Sequence, residues 1–337
     1  MISIFTRGNG MRAVFLDFGS VTRGDMDRST LERAISPWQF YDDTTPEQVV
    51  ERIKEAEVIV SNKMLLDRTV LLSASRLKLI CIAATGYNNV DLAAAAERNI
   101  PVCNVRGYAT NSVVQHVFML MLNLSRRFVE YQQLVKNGGW QKSAYFCPLD
   151  FGITELSGKT LGIIGYGELG KAVADIAKAF GMQLLIAEHK SMPARPGRST
   201  FDEVMQQADF ITLHCPLSEE TRNLISQREF ELMKPTAYLI NTARGGLVNE
   251  ADLLHSLSSG RIAGAATDVL LKEPPVDGNI LLTYPQPNLI VTPHIAWASR
   301  ESRQRVLDQA AENIQNFFQN KPFNQIKDAL ISPNTRN

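Results

Sequence analysis

Short apolar runs alternate with amphipathic segments through the first part of the chain. The runs RAVFLD at residues 12–17 and VIV at residues 58–60 are typical of strands, and an amphipathic stretch that begins at Pro46 lies between them. Residues 75–85 and then 90–105 repeat this alternation. Apolar runs of strand length, separated by helical periodicity, predict a parallel sheet with helices on its faces.

A different apolar pattern begins near Asn111. The segment SVVQHVFMLMLNL is apolar around most of a helix's circumference before it ends at Ser125, Arg126 and Arg127. Such a helix must be covered on several sides. Two alternatives stay open: other parts of the chain bury it, or a second subunit covers part of it. The next segment, KNGGWQKSAYFCPLDFGITELSGKT, predicts a long connection because it is rich in glycine and polar residues.

A second alternation follows, with a strand, a glycine turn, a helix and a strand at residues 159–190. Later strands are predicted at DFITLHC, AYLINTA, GAATDVL and LIVTPHI, and a helix at SRESRQRVLDQAAENIQNFFQN. We expect this helix to return to the first domain. The predicted domains are therefore 11–106 with 298–337, and 107–297. Residues 1–10 lack periodicity and are expected to be an N-terminal extension.

Composition excludes several classes of function. Lysine plus arginine and aspartate plus glutamate both number 35, so no polyanionic partner or membrane surface is expected, and nucleic acid is disfavoured. The four cysteines are widely spaced and form no CxxC pair, which argues against a metal site and fits reduced thiols. No secretory signal is visible, and the longest apolar stretch is too short for a bilayer. We expect a cytoplasmic protein.

Gly165, Gly167 and Gly170 form a GxGxxG turn that follows the apolar strand TLGII and opens a helix. In that context glycines permit a tight turn and close approach of a pyrophosphate, while the helix N-terminus supplies N–H donors. The motif predicts a dinucleotide site. Glu168 inside the turn is expected to point to solvent, because the pyrophosphate is already negative.

Glu188 ends the second strand of this unit, 18 positions after Gly170. A carboxylate there accepts hydrogen bonds from the adenosine ribose and repels a ribose phosphate, so NAD is favoured over NADP. His189, Lys190 and Arg195 follow closely and partly offset that repulsion.

His294 lies in the apolar run VTPHIAWAS, where a lone histidine is more often a core residue satisfied by the backbone. Two other predicted strands also end near charged residues. Glu273 follows GAATDVL, and Arg244 follows AYLINTA. A carboxylate beside an imidazole favours its protonated form, and a guanidinium suits a substrate carboxylate held by two hydrogen bonds. Together they predict a proton donor, its partner and a substrate clamp for carbonyl reduction.

The chain resembles the D-isomer-specific 2-hydroxyacid dehydrogenase family over almost its whole length from Met11. The motifs are AATGYNNVD, NIPVCNVRGYATNSVVQH, GIIGYGELG, NTARGGLVNE, ATDVLLKEPP and PHIAWAS. Within the family it most resembles glycerate dehydrogenases, also called hydroxypyruvate reductases. The resemblance implies an α/β fold of two Rossmann-like domains, with a flavodoxin-like substrate domain, an inserted NAD-binding Rossmann domain and a cleft between them.

The resemblance also implies the roles of individual residues. Arg244, Glu273 and His294 correspond to the catalytic triad. Substrate contacts are implied for Asn62, Lys63, Thr85 and Gly86, while Trp297 either lines the substrate side or packs behind the histidine. Cofactor contacts are implied for Thr110, Gly165, Tyr166, Gly167, Glu168, Leu169, Gly170, Glu188, His214, Pro216, Thr221, Thr242, Ala243 and Asp268, the last at the nicotinamide amide.

The implied activity is NAD-dependent reduction of hydroxypyruvate to D-glycerate, with glyoxylate as a further substrate. A homodimer built on the helix near Asn111 is also implied. The nearest alternatives are phosphoglycerate dehydrogenase and reductases of other 2-oxo acids. An NADH-sensing protein that resembles a transcriptional corepressor is a remote alternative from another functional class.

Overall fold

The computed structural model describes residues 13–321 and 323–326, so the predicted extension at residues 1–10 lies outside the described residues. The chain forms two compact units. The central unit is Thr110–Trp297, and the discontinuous unit combines the described residues up to Ala109 with those from Ala298 onward. Each unit contains a parallel sheet, so the α/β fold class is confirmed.

The discontinuous unit contains a five-stranded parallel sheet in the order β2-β1-β3-β4-β5. This is the flavodoxin-like order that the resemblance implies. Its strands are β1 (Ala13–Phe15), β2 (Trp38–Phe40), β3 (Val58–Ser61), β4 (Leu79–Ile82) and β5 (Val102–Asn104). Its helices are α1 (Ser29–Ala34), α2 (Pro46–Ile53), α3 (Arg68–Ser73), α4 (Leu92–Glu97) and α11 (Arg300–Phe318).

The C-terminal helix completes this unit. Helix α11 packs against α1 and β4. The side-chain amide of Asn313 donates to the carbonyl of Asn104 at 3.0 Å, and its oxygen accepts the N–H of Asn324 at 3.1 Å. Asn313 is buried, so these bonds satisfy polar groups that burial would otherwise leave unpaired.

The central unit contains a six-stranded parallel sheet in the order β11-β10-β9-β8-β6-β7. Its strands are β6 (Thr160–Ile164), β7 (Gln183–Ile186), β8 (Phe210–Leu213), β9 (Tyr238–Asn241), β10 (Gly264–Thr267) and β11 (Leu289–Val291). Its helices are α5 (Thr110–Ser125), α6 (Phe128–Lys136), α7 (Glu168–Ala179), α8 (Phe201–Gln207), α9 (Gln227–Leu232) and α10 (Glu250–Ser258).

An isolated parallel bridge joins Ala187 to Ser199 beside the outer strand β7. The N–H of Glu188 donates to Ser199, and the N–H of Ser199 donates to Ile186. If this bridge is counted as a strand shortened to one residue, the sheet has seven strands in the order 3-2-1-4-5-6-7, which is the Rossmann order 3-2-1-4-5-6 with β11 added at the edge. The order reverses next to β6, and the carboxyl ends of the strands at such a point form a ligand site.

Helix α5 is covered mainly by its own unit. It packs against α7, β9 and β10, and its buried residues include Val117, Leu120 and Met121. Large exposed apolar side chains instead follow it, in α6 and the connection after it: Phe128, Val129, Val135, Trp140, Tyr145, Phe146, Leu149 and Ile153. Among the described residues, no helix combines the length and apolar character needed to cross a membrane.

Candidate active site

The glycine turn lies at the carboxyl end of β6. Gly165 has φ +92°, and a Cβ on it would lie 2.5 Å from the backbone nitrogen of Cys215. A Cβ on Gly170 would lie 2.2 Å from the carbonyl oxygen of Gly165. Both positions require glycine because the chain doubles back on itself there. Gly167 differs, because a Cβ on it would have no atom within 4 Å.

The open space at Gly167 lies beside the N-terminus of α7, for which Gly167 is the N-cap. No side chain in the described part of the chain caps that terminus, so its N–H groups are available to an anion. Glu168 is exposed, as expected, and it accepts a hydrogen bond from the hydroxyl of Thr110. The Tyr166 ring lies under the guanidinium of Arg198, 5.4 Å from its centroid, while Leu169 is half-buried in the first turn of α7.

Glu188 follows β7, and both of its carboxylate oxygens are engaged. Arg195 donates to them at 2.5 and 2.8 Å, and the N–H of His189 donates at 3.0 Å. The Arg195 side chain is 71% exposed, whereas Glu188 is buried. The guanidinium of Arg195 and the N–H of His189 lower the pKa of Glu188 to about 2. The predicted ribose acceptor is therefore an anion that already has a cationic partner.

The turn after β8 contains His214, Pro216 and Thr221. Burial lowers the pKa of His214 to about 4, so the ring is neutral at neutral pH. Its Nε2 lies 2.9 Å from the hydroxyl oxygen of Thr212. Its Nδ1 is buried and has no hydrogen-bond partner among the described residues. The hydroxyl of Thr221 donates to the exposed Pro216 at 2.8 Å, which closes the turn.

The turn after β9 is shaped by Asn241, a residue that the sequence analysis did not select. Its side chain accepts the N–H of Ala243 at 3.1 Å and donates to the carbonyl of Arg244 at 2.9 Å. A Cβ on Gly245 would lie 2.0 Å from the backbone carbon of Leu270, so glycine lets this turn approach the next one closely. The Oγ1 atom of Thr242 is buried without a partner among the described residues.

The guanidinium of Arg244 is exposed at the end of this turn. Its Nη1 donates to the carbonyl of Ala243 at 2.7 Å. It forms no ion pair with any residue in the described part of the chain. The remaining N–H groups of its fork can therefore hold an external carboxylate.

Glu273 and His294 form a hydrogen-bonded pair. Nδ1 of His294 lies 2.5 Å from Oε2 of Glu273, and Oε1 of the same carboxylate accepts the N–H of Leu270 at 2.7 Å. Glu273 belongs to the connection after β10, and His294 follows β11. Because Nδ1 is occupied, Nε2 is the ring atom left for proton transfer.

His294 has φ +54°, in the left-handed region. The indole N–H of Trp297 donates to its carbonyl at 3.1 Å, so Trp297 braces the turn that bears the histidine. Asp268 is 1% exposed and directs its carboxylate at the same turn. Arg244, Glu273 and His294 thus emerge beyond the carboxyl ends of β9, β10 and β11, which are neighbours in the sheet.

In the discontinuous unit, the predicted substrate residues follow β3 and β4. Asn62 and Lys63 donate their N–H groups to the buried carboxylate of Asp17, with Lys63 at 2.7 Å and Asn62 at 2.9 Å. Burial raises the pKa of Asp17 in spite of these bonds. Asp17 therefore holds this turn in place. The sequence analysis did not select it, although it is the single acidic residue at the end of the apolar run 12–17.

Thr85 and Gly86 follow β4. The hydroxyl of Thr85 donates to the carbonyl of Val105 at 3.1 Å, and the side chain of Asn104 donates to the carbonyl of Thr85 at 2.7 Å. These bonds connect the turn to the end of β5. The backbone N–H groups of Thr85 and Gly86 are the groups that the family resemblance implies for substrate binding.

The sequence is similar to those of known proteins. Residues 118–296 match the family model described as D-isomer specific 2-hydroxyacid dehydrogenase, NAD binding domain. A glycerate dehydrogenase from Methylorubrum extorquens is 45% identical over 309 residues, which cover 90% of this chain and 98% of that protein. A hydroxypyruvate reductase from Blautia hydrogenotrophica is 37% identical over 323 residues, which cover 94% of this chain and 99% of that protein.

Solved structures share the fold. The TT0316 protein from Thermus thermophilus has a TM-score of 0.82 and 31% identity, covering 94% of this chain and 100% of that one. An acyclic imino acid reductase in complex with NADPH has a TM-score of 0.81 and 27% identity, with coverages of 94% and 100%. A D-lactate dehydrogenase from Aquifex aeolicus, complexed with NAD and lactic acid, has a TM-score of 0.78 and 26% identity, with coverages of 92% and 96%.

Proposed function

The chain belongs to the D-isomer-specific 2-hydroxyacid dehydrogenase family, and on that basis we propose that it reduces hydroxypyruvate to D-glycerate, and glyoxylate to glycolate, with NADH. It is an oxidoreductase that uses a nicotinamide cofactor. The observation that carries the proposed reaction is the hydrogen bond between His294 and Glu273. These residues follow β11 and β10, and the exposed Arg244 follows the adjacent strand β9.

The central unit has features that fit a dinucleotide. These features all lie at the carboxyl ends of its strands: the space at Gly167, the N-terminus of α7, and the buried atoms of His214 and Thr242 that have no partner among the described residues. The pyrophosphate would be held by N–H groups of the glycine turn, and the adenosine ribose by Glu188. When bound, the reduced nicotinamide supplies the hydride for C2 of the substrate.

His294 would act as the general acid. Protonated and paired with Glu273 through Nδ1, it gives the Nε2 proton to the carbonyl oxygen of the 2-oxo acid. Glu273 stabilises the imidazolium and fixes the plane of the ring through its second bond, to Leu270. In the oxidative direction the same Nε2 atom would accept the hydroxyl proton.

Arg244 would bind the substrate carboxylate and polarise the neighbouring carbonyl. The planar guanidinium offers parallel N–H donors that match a carboxylate. Asn241 holds the turn on which Arg244 lies. In the other unit, we propose that the turns at Asn62, Lys63, Thr85 and Gly86 also contact substrate, as the family resemblance implies.

We propose NAD over NADP because Glu188 would repel a phosphate on the ribose.

We also propose a homodimer in which a second copy covers the exposed apolar side chains between Phe128 and Ile153. Phe146 is 90% exposed and Leu149 is 82% exposed, and large apolar surfaces of this kind mark association sites. Light scattering on the purified protein measures the assembly mass, and a monomer would contradict this part of the proposal. The free cysteines support a cytoplasmic location.

The deciding experiment is the initial rate of NADH loss with hydroxypyruvate, measured beside glyoxylate, pyruvate and phosphohydroxypyruvate. We expect the highest kcat/KM with hydroxypyruvate. A higher value with another 2-oxo acid would keep the mechanism and replace the substrate. No turnover with any of them, together with tight NADH binding, would instead support a binding protein and overturn the proposal.

A further inference from the structure

A buried polar network lies behind the turn that carries His294. The carboxylate of Asp268 accepts the hydroxyl of Thr292 at 2.6 Å and the N–H groups of Ile295 at 2.9 Å and Ala296 at 2.8 Å. The carbonyl of Asp268 accepts the N–H of His294, also at 2.8 Å. One residue therefore binds the turn on both sides of the histidine.

Helix α5 contacts both ends of the same turn. Nε2 of His116 lies 3.0 Å from the hydroxyl of Thr292, and the hydroxyl of Ser112 donates to the carbonyl of Ala296 at 2.7 Å. Ser112 and His116 are four positions apart, so they share one face of the helix. Half of the residues of the helix are buried, and its contacts with the rest of the unit make it a support for residues 292–296.

Proton positions follow from the geometry. The hydroxyl of Thr292 has one proton, and the 2.6 Å bond to Asp268 uses it. Thr292 must therefore accept the contact from His116, which donates through an Nε2 proton. Burial lowers the pKa of His116 while the nearby Asp268 opposes that shift. The chain of donors thus runs from His116 to Thr292 to Asp268.

The turn needs this support because its backbone is unfavourable in isolation. His294 has φ +54°, a conformation that residues with a Cβ rarely adopt unless their surroundings hold them there. Pro293 removes one backbone donor next to it. If the external bonds were lost, the backbone would relax and the imidazole would leave Glu273.

We propose that Ser112, His116 and Thr292 are positioning residues for the reaction, which hold the turn 292–296 so that His294 meets Glu273 and presents Nε2 to the substrate. The effect of these residues on catalysis rests on the proposed function. Their effect on the orientation of His294, through hydrogen bonds from helix α5, does not.

Paired variants test the hydroxyl of Thr292. Thr292→Val keeps the shape and removes the hydroxyl, whereas Thr292→Ser keeps the hydroxyl. We expect kcat to fall on the order of 10- to 100-fold in the valine variant, because small misplacements of a reacting group lower the rate by factors of this size. The serine variant should recover most of that loss, and the NADH dissociation constant should stay the same in both. Equal losses in the two variants would overturn the proposal.

His116 offers a second pair. His116→Gln retains an N–H near the position of Nε2, and His116→Met fills the space without a donor. The glutamine variant should exceed the methionine variant in kcat, with similar KM values for NADH. Gln115→Ala, at an exposed position on the same helix, is the control for general damage to α5. If the methionine variant matches wild type in kcat, His116 has no positioning role.

A spectroscopic measurement separates this inference from the proposed function. The short bond between His294 and Glu273 should give a strongly downfield proton resonance from Nδ1–H, assignable by its loss in His294→Ala. It should persist in Thr292→Ser and disappear or shift upfield in Thr292→Val and His116→Met. This result needs no substrate, so it stands even if no 2-oxo acid is reduced. A resonance unchanged in both Thr292→Val and His116→Met would overturn the inference, even if the activity of these variants fell.

Discussion

Nδ1 of His294 lies 2.5 Å from Oε2 of Glu273, and the two residues come from connections that follow neighbouring strands of one sheet. The second oxygen of Glu273 is bonded to the N–H of Leu270, so the carboxylate cannot rotate freely. This relationship gives the imidazole a fixed orientation. The first two predictions depend on it.

Replacing the histidine should stop proton transfer while leaving the dinucleotide features intact. We expect His294→Ala to reduce kcat for 2-oxo acid reduction about 10²- to 10⁴-fold, the range for loss of a general acid. Fluorescence titration should show NADH binding within a factor of two of wild type. A kcat close to that of wild type would remove His294 from the mechanism.

Glu273→Gln should lower kcat for reduction. The amide accepts the Nδ1 proton more weakly than the carboxylate does and orients the ring less firmly, so we expect a loss on the order of 10-fold or more. The measurement is kcat with hydroxypyruvate, with Glu312→Gln on the exposed side of α11 as the control. A kcat equal to that of wild type would make Glu273 a purely structural residue.

Other hydrogen-bond donors should not fully replace Arg244. Each charge-assisted hydrogen bond contributes about 1.5–3 kcal/mol, so Arg244→Gln should lower kcat/KM for the 2-oxo acid on the order of 10²-fold or more. Arg244→Lys should recover only part of this, because an ammonium cannot form the paired bonds. KM for NADH should change little in either variant. A defect confined to NADH would place Arg244 at the cofactor instead.

The ion pair between Glu188 and Arg195 should control the choice of dinucleotide. Glu188→Gln removes the repelling charge and frees Arg195 for a phosphate, so the ratio of kcat/KM for NADPH to that for NADH should rise on the order of tenfold. Arg195→Gln leaves the carboxylate uncompensated and should lower the ratio. Calorimetry with 2′-AMP and 5′-AMP should follow the same trends.

The exposed pair of Arg68 and Glu97 in the other unit supplies the control for the cofactor experiment, because it has a similar two-point geometry. Arg68→Gln should leave the NADPH to NADH ratio unchanged. If both Glu188→Gln and Arg195→Gln also leave the ratio unchanged, neither residue lies at the ribose.

His214 should make the apoprotein sensitive to acid. Its pKa of about 4 in the fold lies below the value of about 6.5 for an exposed imidazole, so the unfolded chain takes up the proton first. The free energy of unfolding should therefore decrease as pH falls from about 6.5 to 4, by up to about 1.4 kcal/mol per pH unit from this group. Urea denaturation of His214→Gln should show a flatter dependence, with the exposed His255→Gln as the control. Parallel slopes for His214→Gln and wild type would contradict the prediction.

Periodicity predicted the alternation of strands and helices, because apolar strands and amphipathic helices leave local patterns. It did not predict where the strands end. The predicted strand LIVTPHI reaches Ile295, whereas β11 ends at Val291. Pro293 cannot donate to the ladder and His294 has positive φ, so the backbone turns before the histidine.

The hydrogen-bond partners of the site residues could not be predicted from the sequence, for a different reason. His116 and Thr292 are 176 positions apart, and Asp17 and Asn62 are 45 apart, so tertiary folding alone brings each pair together. The position of Arg195 in the sequence indicated a cation near Glu188, but its two hydrogen bonds to that carboxylate depend on how a connection without periodicity folds. The charged residues could be selected by type and position, whereas the hydrogen bonds that orient them could not.

The passage of the chain out of one unit and back again has a consequence for biosynthesis. The five strands of the discontinuous unit leave the ribosome first, but α11, which packs against α1 and β4, follows only after Thr110–Trp297 has been made. At about 5–20 residues per second this delay lasts roughly 10–40 s. During this delay the nascent sheet of the discontinuous unit lacks α11, one of the helices that cover it. The synthesis of the central unit starts second but finishes first.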